Sequence, residues 1–256
     1  MIELFHRVDG PDGAPPLVLG NSLGCSLAMW EPQVPSLAGA FRVVRYDQRG
    51  HGRSPVPPGP YSLDDLGKDL LALLDELGIG RALLCGSSMG GMVGMWLALE
   101  APERVDRLVL CCTSARFGSR ESWIDRARRV REGGVGAVAD GVLQRWFTPG
   151  FARERPEVVE RYERMLLSTP AEGYAGCCEA LAGADLRERL GAIAAPALVV
   201  SGSDDPSSAV AKGREIADAI PGARHTVIGP AAHLANVERP EAFTHAITAH
   251  LDGGRP

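Results

Sequence analysis

Residues Leu83-Leu84-Cys85-Gly86-Ser87-Ser88-Met89-Gly90-Gly91-Met92 constrain the fold more tightly than any other stretch of the chain. An apolar run of strand length meets a G-x-S-x-G pentapeptide and passes straight into a run of small, helix-compatible residues. So sharp a strand-to-helix turn leaves no room for side chains at positions 86 and 90, and it strains the backbone of the serine between them. Ser88 is thereby set at the carboxyl end of a strand and the amino end of a helix. Its hydroxyl is exposed there, and unpaired backbone N–H groups lie close by. This is the nucleophile-elbow signature. The competing reading is a glycine-rich turn with an ordinary N-cap serine; the flanking strand and helix favour the catalytic one.

The elbow fits the rhythm of the rest of the chain. Leu17-Val18-Leu19, Phe41-Arg42-Val43-Val44, Ala82-Leu83-Leu84-Cys85, Leu108-Val109-Leu110-Cys111 and Ala197-Leu198-Val199-Val200 read as buried strands. Residues 63–77 and 92–100 repeat apolar side chains at helical spacing. Such alternation predicts an α/β fold, a mostly parallel sheet with helices on both faces. Residues 2–8 add an N-terminal strand before the turn Asp9-Gly10-Pro11-Asp12-Gly13. The alternation stops near residue 114 and resumes near 190. Between them lie helical, Arg/Glu-rich patterns over 123–132, 135–146, 156–167 and 171–181. The expected organisation is therefore a core of residues 1–114 and 191–256 and an inserted all-helical cap of residues 115–190. The cap would lie over the carboxyl ends of the strands, where open α/β sheets bind ligands.

Composition removes several function classes. Hydrophobic residues are 45% of the 256, enough for a large core, and the net charge of −5 disfavours nonspecific nucleic-acid binding. No apolar run approaches bilayer length, so no membrane partner is expected. The start Met1-Ile2-Glu3-Leu4-Phe5-His6 lacks the basic and apolar regions of a secretory leader, and the chain is read as cytoplasmic. The six cysteines, two adjacent pairs and two singles in apolar sequence, form neither a disulfide framework nor a metal-ligand pattern. Neither a metal nor an organic cofactor is expected. Cys25, Cys85, Cys177 and Cys178 lie near the candidate site in sequence, which leaves room for a thiol in the pocket wall.

A serine nucleophile needs a base and a group to orient it. After the cap, Val199-Val200-Ser201-Gly202-Ser203-Asp204-Asp205-Pro206 is a strand ending in a turn with two acids. Asp205, three residues past Gly202 and next to a proline, is favoured over Asp204. Val227-Ile228-Gly229-Pro230-Ala231-Ala232-His233 then brings one histidine into a small-residue loop after the last strand. His233 completes the order Ser, Asp, His. His51 is the other contender, but it precedes the serine. The oxyanion hole requires two converging N–H donors. Met89, next after the nucleophile, supplies one, and the loop Asn21-Ser22-Leu23-Gly24 the other, with Leu23 preferred.

With these pieces in place the whole chain resembles the α/β-hydrolase superfamily and, more closely, its 3-oxoadipate enol-lactonase family. The matching stretches are Gly20-Asn21-Ser22-Leu23-Gly24 with Met29-Trp30, Tyr46-Asp47-Gln48-Arg49-Gly50-His51-Gly52-Arg53-Ser54, and Gly86-Ser87-Ser88-Met89-Gly90-Gly91. Two more, Arg145-Trp146-Phe147-Thr148-Pro149 and Gly173-Tyr174-Ala175-Gly176-Cys177-Cys178-Glu179-Ala180-Leu181, lie in the cap and separate this family from its neighbours. Asn21-Ser22 replaces the His-Gly of many superfamily members, a form the enol-lactonases share. The resemblance implies ring-opening hydrolysis of 3-oxoadipate enol-lactone in the β-ketoadipate route of aromatic-compound catabolism, through Ser88, His233 and Asp205.

A carboxylated lactone as partner needs a cation in the site. The cap offers Arg126, Arg128, Arg129, Arg131 and Arg145. Most of these read as solvated helix-face charges, and Arg126 joins Trp123, Trp146 and Tyr174 as the expected substrate-binding set. The three aromatic residues read first as cap core, while Asp47 and Arg49 read as braces beneath the oxyanion loop. The same triad also serves carboxylesterases, cofactor-free haloperoxidases, C–C hydrolases and hydrolase-fold receptors for small lactones. The sequence does not fix the oligomeric state.

Overall fold

A run of residues buried on both faces can only be an interior strand of a covered sheet, and β4 (Ala82–Ser87) and β6 (Ala197–Gly202) are buried at every residue. In the computed structural model, which describes residues 1–207 and 210–253, they belong to a seven-stranded sheet with β1 (His6–Asp9), β2 (Pro16–Gly20), β3 (Arg42–Tyr46), β5 (Val105–Cys111) and β7 (Arg224–Ile228). The order is β1-β3-β2-β4-β5-β6-β7. Only β1 is antiparallel, paired His6 to Tyr46 through Asp9 to Val43. The chain moves from β2 outward to β3 and returns to β4 on the other side of β2, so the direction of winding switches between β2 and β4. Loops leaving the carboxyl ends of those two strands diverge at that point, which makes it the natural ligand crevice.

Helices α1 (Val34–Leu37), α2 (Leu63–Glu76) and α3 (Met89–Glu100) precede β5. Ser62 and Asp65 form a reciprocal capping box at the start of α2, which satisfies two otherwise orphaned N–H groups. α3 packs against β2, β4 and β5, and its residues 89–98 are all buried. A helix in that position has no polar face to keep, which explains its run of glycine, methionine and alanine. The crossing is close: a Cβ at Gly86 would collide with the Gly90 carbonyl, and one at Gly90 with the Gly20 backbone.

Between β5 and β6 the described residues form only helices and turns: α4 (Arg120–Gly133), α5 (Ala139–Trp146), α6 (Pro149–Glu154), α7 (Pro156–Leu167) and α8 (Ala171–Gly183), with shorter 3-10 turns. α4 packs on α8, and α8 reaches α2. α9 (Val210–Ala219), α10 (Ala235–Glu238) and α11 (Pro240–Leu251) complete the chain.

Two sequence expectations need correction. The first strand is His6–Asp9, not 2–8. Residues 2–5 direct backbone donors to side chains instead: the Ile2 N–H donates to Asp69 Oδ1 of α2 at 3.0 Å and the Phe5 N–H to Ser54 Oγ at 2.9 Å. The expected helix over 135–146 divides into a 3-10 turn at Val135–Val138 and α5 proper, and α6 has no counterpart in the sequence reading. No described helix is long and apolar enough to cross a membrane.

Candidate active site

Ser88 stands at φ 54°, ψ −115° between β4 and α3. A non-glycine residue held there costs on the order of 1–3 kcal/mol and persists only when its surroundings over-determine it. They do so here. The Ser88 N–H donates to the Cys111 carbonyl at 2.8 Å, its carbonyl accepts from Thr113 Oγ1 at 2.7 Å, and the Gly90 N–H donates to the Asn21 carbonyl at 2.9 Å. As the N-cap of α3 its side chain makes no capping hydrogen bond, so the ordinary N-cap reading falls and the hydroxyl stays available for chemistry.

Asp205 leaves β6 and His233 follows β7, and their side chains meet: His233 Nδ1 lies 2.8 Å from Asp205 Oδ2. The histidine side chain is 5% exposed and the carboxylate 0%. A carboxylate only accepts, so Nδ1 carries the proton and Nε2 is left as the acceptor. The second oxygen of Asp205 accepts the Ser207 N–H at 2.8 Å. Asp204 is exposed and takes a hydrogen bond from Ser203 Oγ, so the adjacent acid is not the histidine's partner.

The loop after β2 is fixed from below. Asn21 Nδ2 donates to the Tyr46 carbonyl, and Trp30 Nε1 donates to Asn21 Oδ1 at 3.0 Å. The Gly24 N–H, next to Leu23, donates to His51 Nε2 at 2.9 Å, while His51 Nδ1 faces the Arg49 carbonyl at 3.2 Å. His51 is therefore a neutral brace rather than a base, and burial lowers its pKa to about 4. Asp47 accepts the Leu27 N–H at 2.6 Å and the Arg53 N–H at 2.8 Å. Arg49 is held by Asp69 at 2.6 Å.

Ser22, Leu23, Ser88 and His233 line a cavity of about 740 Å³ together with Trp123, Arg126, Arg145 and Trp146. That volume suits a small organic ligand. Tyr174 is not in the cavity wall. It is fully buried, with its hydroxyl hydrogen-bonded to Arg126, because the inward face of α8 packs into the core. Its contact is with Arg126, which does line the cavity. No cysteine lines this cavity, and all six thiols are buried and free.

Of the five arginines singled out in the inserted helices, Arg129 is exposed at the cavity rim and donates to the Ala137 carbonyl at 2.8 Å; the other four divide into two pairs. Arg128 pairs with Asp125 and Glu132, and Arg131 with Glu172 and Glu179. Arg126 and Arg145 have no ion-pair partner among the described residues. Arg126 lies over the rings of Trp123 and Tyr174, at 5.1 and 5.4 Å, and its buried Nε lacks a hydrogen-bond partner. Burial first, and then the charge of Arg126, depress the pKa of Arg145. Two adjacent half-buried guanidinium groups without an ion pair suit an anionic ligand, and Asp125 and Asp140 line the same cavity. Arg145 was left out of the expected set, although it opens the Arg145-Trp146-Phe147-Thr148-Pro149 stretch already singled out. Among the described residues no group of three or more His, Cys, Asp or Glu side chains is placed to hold a metal.

A family model described as the α/β hydrolase fold matches residues 15–240. The chain is 44% identical over 248 residues to 3-oxoadipate enol-lactonase 2 of Acinetobacter baylyi, covering 97% of this chain and 92% of that one. Among solved structures it is similar to the enol-lactonase of Burkholderia xenovorans LB400, with TM-score 0.95, 47% identity and coverage of 97% and 96%. A thermophilic esterase from Thermogutta terrifontis superposes with TM-score 0.94 at 35% identity, over 98% of this chain and 94% of that one. The strand order, the strained serine at the winding switch and these full-length matches agree, and the chain belongs to the α/β-hydrolase family.

Proposed function

We propose that the protein opens the ring of 3-oxoadipate enol-lactone by serine-based hydrolysis, giving 3-oxoadipate in the β-ketoadipate route of aromatic breakdown. Its relatives make it an ester or lactone hydrolase; the enol-lactone is the finer step. One observation carries that step. The cavity that holds Ser88 and His233 also holds two half-buried guanidinium groups without ion-pair partners, Arg126 and Arg145, beside the exposed Arg129. A site for neutral esters gains nothing from cations kept in that state. A lactone bearing a carboxymethyl arm supplies the missing charge. The enol-lactonases at 44% and 47% identity support the same reading.

The geometry supports the following sequence of steps. The substrate carboxylate binds between Arg126 and Arg145 and turns the lactone carbonyl toward Ser88. Ser88 Oγ attacks that carbon while His233 Nε2 takes its proton, and Asp205 stabilises the resulting imidazolium. The N–H groups of Leu23 and Met89 hold the oxyanion. Collapse breaks the ring C–O bond. The oxygen that leaves is enolic and a weaker base than an alkoxide, so it departs with little help from the imidazolium proton. The enolate then takes up the proton that His233 holds, directly or through water, and ketonises, which returns His233 to its neutral form and makes ring opening irreversible in practice. Water, deprotonated by His233, attacks the acyl-enzyme and releases the dicarboxylate and free Ser88.

The test is an assay of the purified protein against enol-lactone generated in situ, beside simple alkyl and aryl esters. Preferred turnover of the enol-lactone supports the proposal. Equal or better turnover of simple esters makes the protein a general carboxylesterase and overturns it. A single turnover followed by a stable conformational change marks a receptor.

A further inference from the structure

The loop that carries His233 is tied to the inserted helices as well as to the sheet. The His233 N–H donates to the Arg145 carbonyl at 3.2 Å, and the Leu234 N–H to the Trp146 carbonyl at 3.0 Å. Those carbonyls belong to the last turn of α5, so one stretch of backbone presents Arg145 and Trp146 to the cavity and also supports the proposed base. Glu238, the last residue of α10, makes a third tie and is 4% exposed. Its Oε1 accepts the N–H of Ala232, the residue before His233, at 2.6 Å. Its Oε2 accepts the Thr148 N–H at 3.2 Å and the Thr148 hydroxyl at 2.7 Å. Thr148 in turn caps α6 through the Phe151 N–H.

A carboxylate buried to this degree persists only when donors replace its water. Here the donors come from two segments that no other side chain among the described residues joins in this way: the base loop six residues upstream and the α5–α6 junction 90 residues upstream. We propose that Glu238 is a positioning residue that locks His233 in register with the substrate-binding helices, so that the base and Arg145 move as one unit. The Arg145 half of this statement rests on the function proposed above; the His233 half needs only the Ser88–His233–Asp205 set. Glu238 touches neither substrate nor reacting atoms. Its effect is on where Nε2 stands relative to Ser88, and a misplacement of about 1 Å at such a contact costs on the order of 100-fold in rate.

Glu238→Gln keeps the shape and removes one acceptor. An amide has a single oxygen, so it serves the Ala232 N–H or the Thr148 N–H but not both, and its NH₂ group faces the N–H left over. Three measurements on the full chain test the proposal: the rate of Ser88 labelling by a fluorophosphonate, the far-downfield proton resonance of the His233–Asp205 hydrogen bond, and kcat and KM on the carboxylated enol-lactone. The expected result is a folded E238Q that labels roughly 10- to 100-fold more slowly. Its downfield resonance is shifted or broadened, with kcat lowered and KM raised together. E238Q with wild-type circular dichroism, wild-type labelling and an unmoved resonance overturns the proposal. Should E238Q fail to fold, Thr148→Val, which removes the hydroxyl donor to Glu238 and with it the α6 cap while keeping the Thr148 N–H, carries the test, with circular dichroism as the check that α6 survives. It is expected to slow labelling several-fold and Thr148→Ser to restore it, whereas wild-type labelling by Thr148→Val overturns the bridge. Labelling and resonance do not depend on the lactone, so a wild-type protein inactive on enol-lactone refutes the proposed function while these two readouts still decide the role of Glu238.

Discussion

Replacing Arg145 by methionine separates what this residue does for the substrate from what it does for the fold. Its guanidinium lines the cavity, has no ion-pair partner among the described residues, and has its pKa depressed by burial and by Arg126. Methionine keeps the length and apolar stem of the side chain and removes the charge. Stability is therefore expected to stay at the wild-type level or rise, read as an unchanged or higher Tm. The link to the base survives, because the His233 N–H donates to the Arg145 backbone carbonyl and not to its side chain. Binding of a carboxylate is another matter. A hydrogen bond to a charged group contributes about 1.5–3 kcal/mol, which is roughly 10- to 150-fold in kcat/KM. Arg126 remains, so the loss is partial. The assay is initial-rate hydrolysis of the carboxylated enol-lactone and of its methyl ester by wild type and variant. The acid is expected to lose roughly 10- to 150-fold and the methyl ester less than about 3-fold, with Arg145→Lys between wild type and Arg145→Met because a point charge cannot reproduce the bidentate fork. Equal losses on acid and ester, or a large fall in Tm, would refute the carboxylate role.

Two other perturbations probe the core of the site. Asp205→Asn is expected to leave the fold intact and lower kcat by about 10⁴, because the amide favours the wrong imidazole tautomer; Asp204→Asn, at an exposed position, is expected to keep near wild-type kcat, and the reverse ranking would sink the assignment of Asp205. The pKa of His51 falls from an unfolded value of 6.5 to about 4 when folded. Between those values the unfolded chain takes up a proton that the folded chain refuses, so the stability contributed by neutral His51 is complete above pH 6.5 and is lost as pH falls toward 4. Urea unfolding at pH 7 and pH 4.5 is expected to show about 2–3 kcal/mol more acid-induced loss in wild type than in His51→Gln, and equal losses would contradict the neutral-brace role.

Local chemistry explains what the sequence made legible. The elbow is written in five consecutive residues: glycine at 86 is dictated by contacts within the strand–turn–helix unit, and glycine at 90 by the close backbone of the neighbouring strand's end at Gly20 and Asn21. Asp205 and His233 are far apart in sequence, yet each follows an apolar strand in a fixed order, so order alone located them. The pairing of Arg126 with Tyr174 spans 48 residues, and the bridge from Glu238 to Thr148 spans 90. Neither has any periodicity or turn signature, since both arise from segments distant in sequence packing together. For the same reason Tyr174, read first as cap core, also stands in the expected substrate-binding set: an aromatic residue on a helix near the site looks alike from either face until the packing of α8 is known. The paired state of Arg128 and Arg131 against the unpaired state of Arg126 and Arg145 was likewise invisible, because it depends on which acids the fold brings within reach. The short α6 escaped notice because Thr148-Pro149 reads equally well as a loop or as a capped helix start.

The central claim is that one cavity joins a serine nucleophile to a receptor for the substrate's carboxylate. Its most direct test is the ratio of kcat/KM values of the wild-type protein for three lactones: the carboxylated enol-lactone, its methyl ester and the unsubstituted ring. Loss of a buried charge contact of about 2–4 kcal/mol predicts that the acid is preferred over both others by roughly 30- to 1,000-fold. Comparable values for all three would contradict the account, even with Ser88, His233 and Asp205 each shown to be essential.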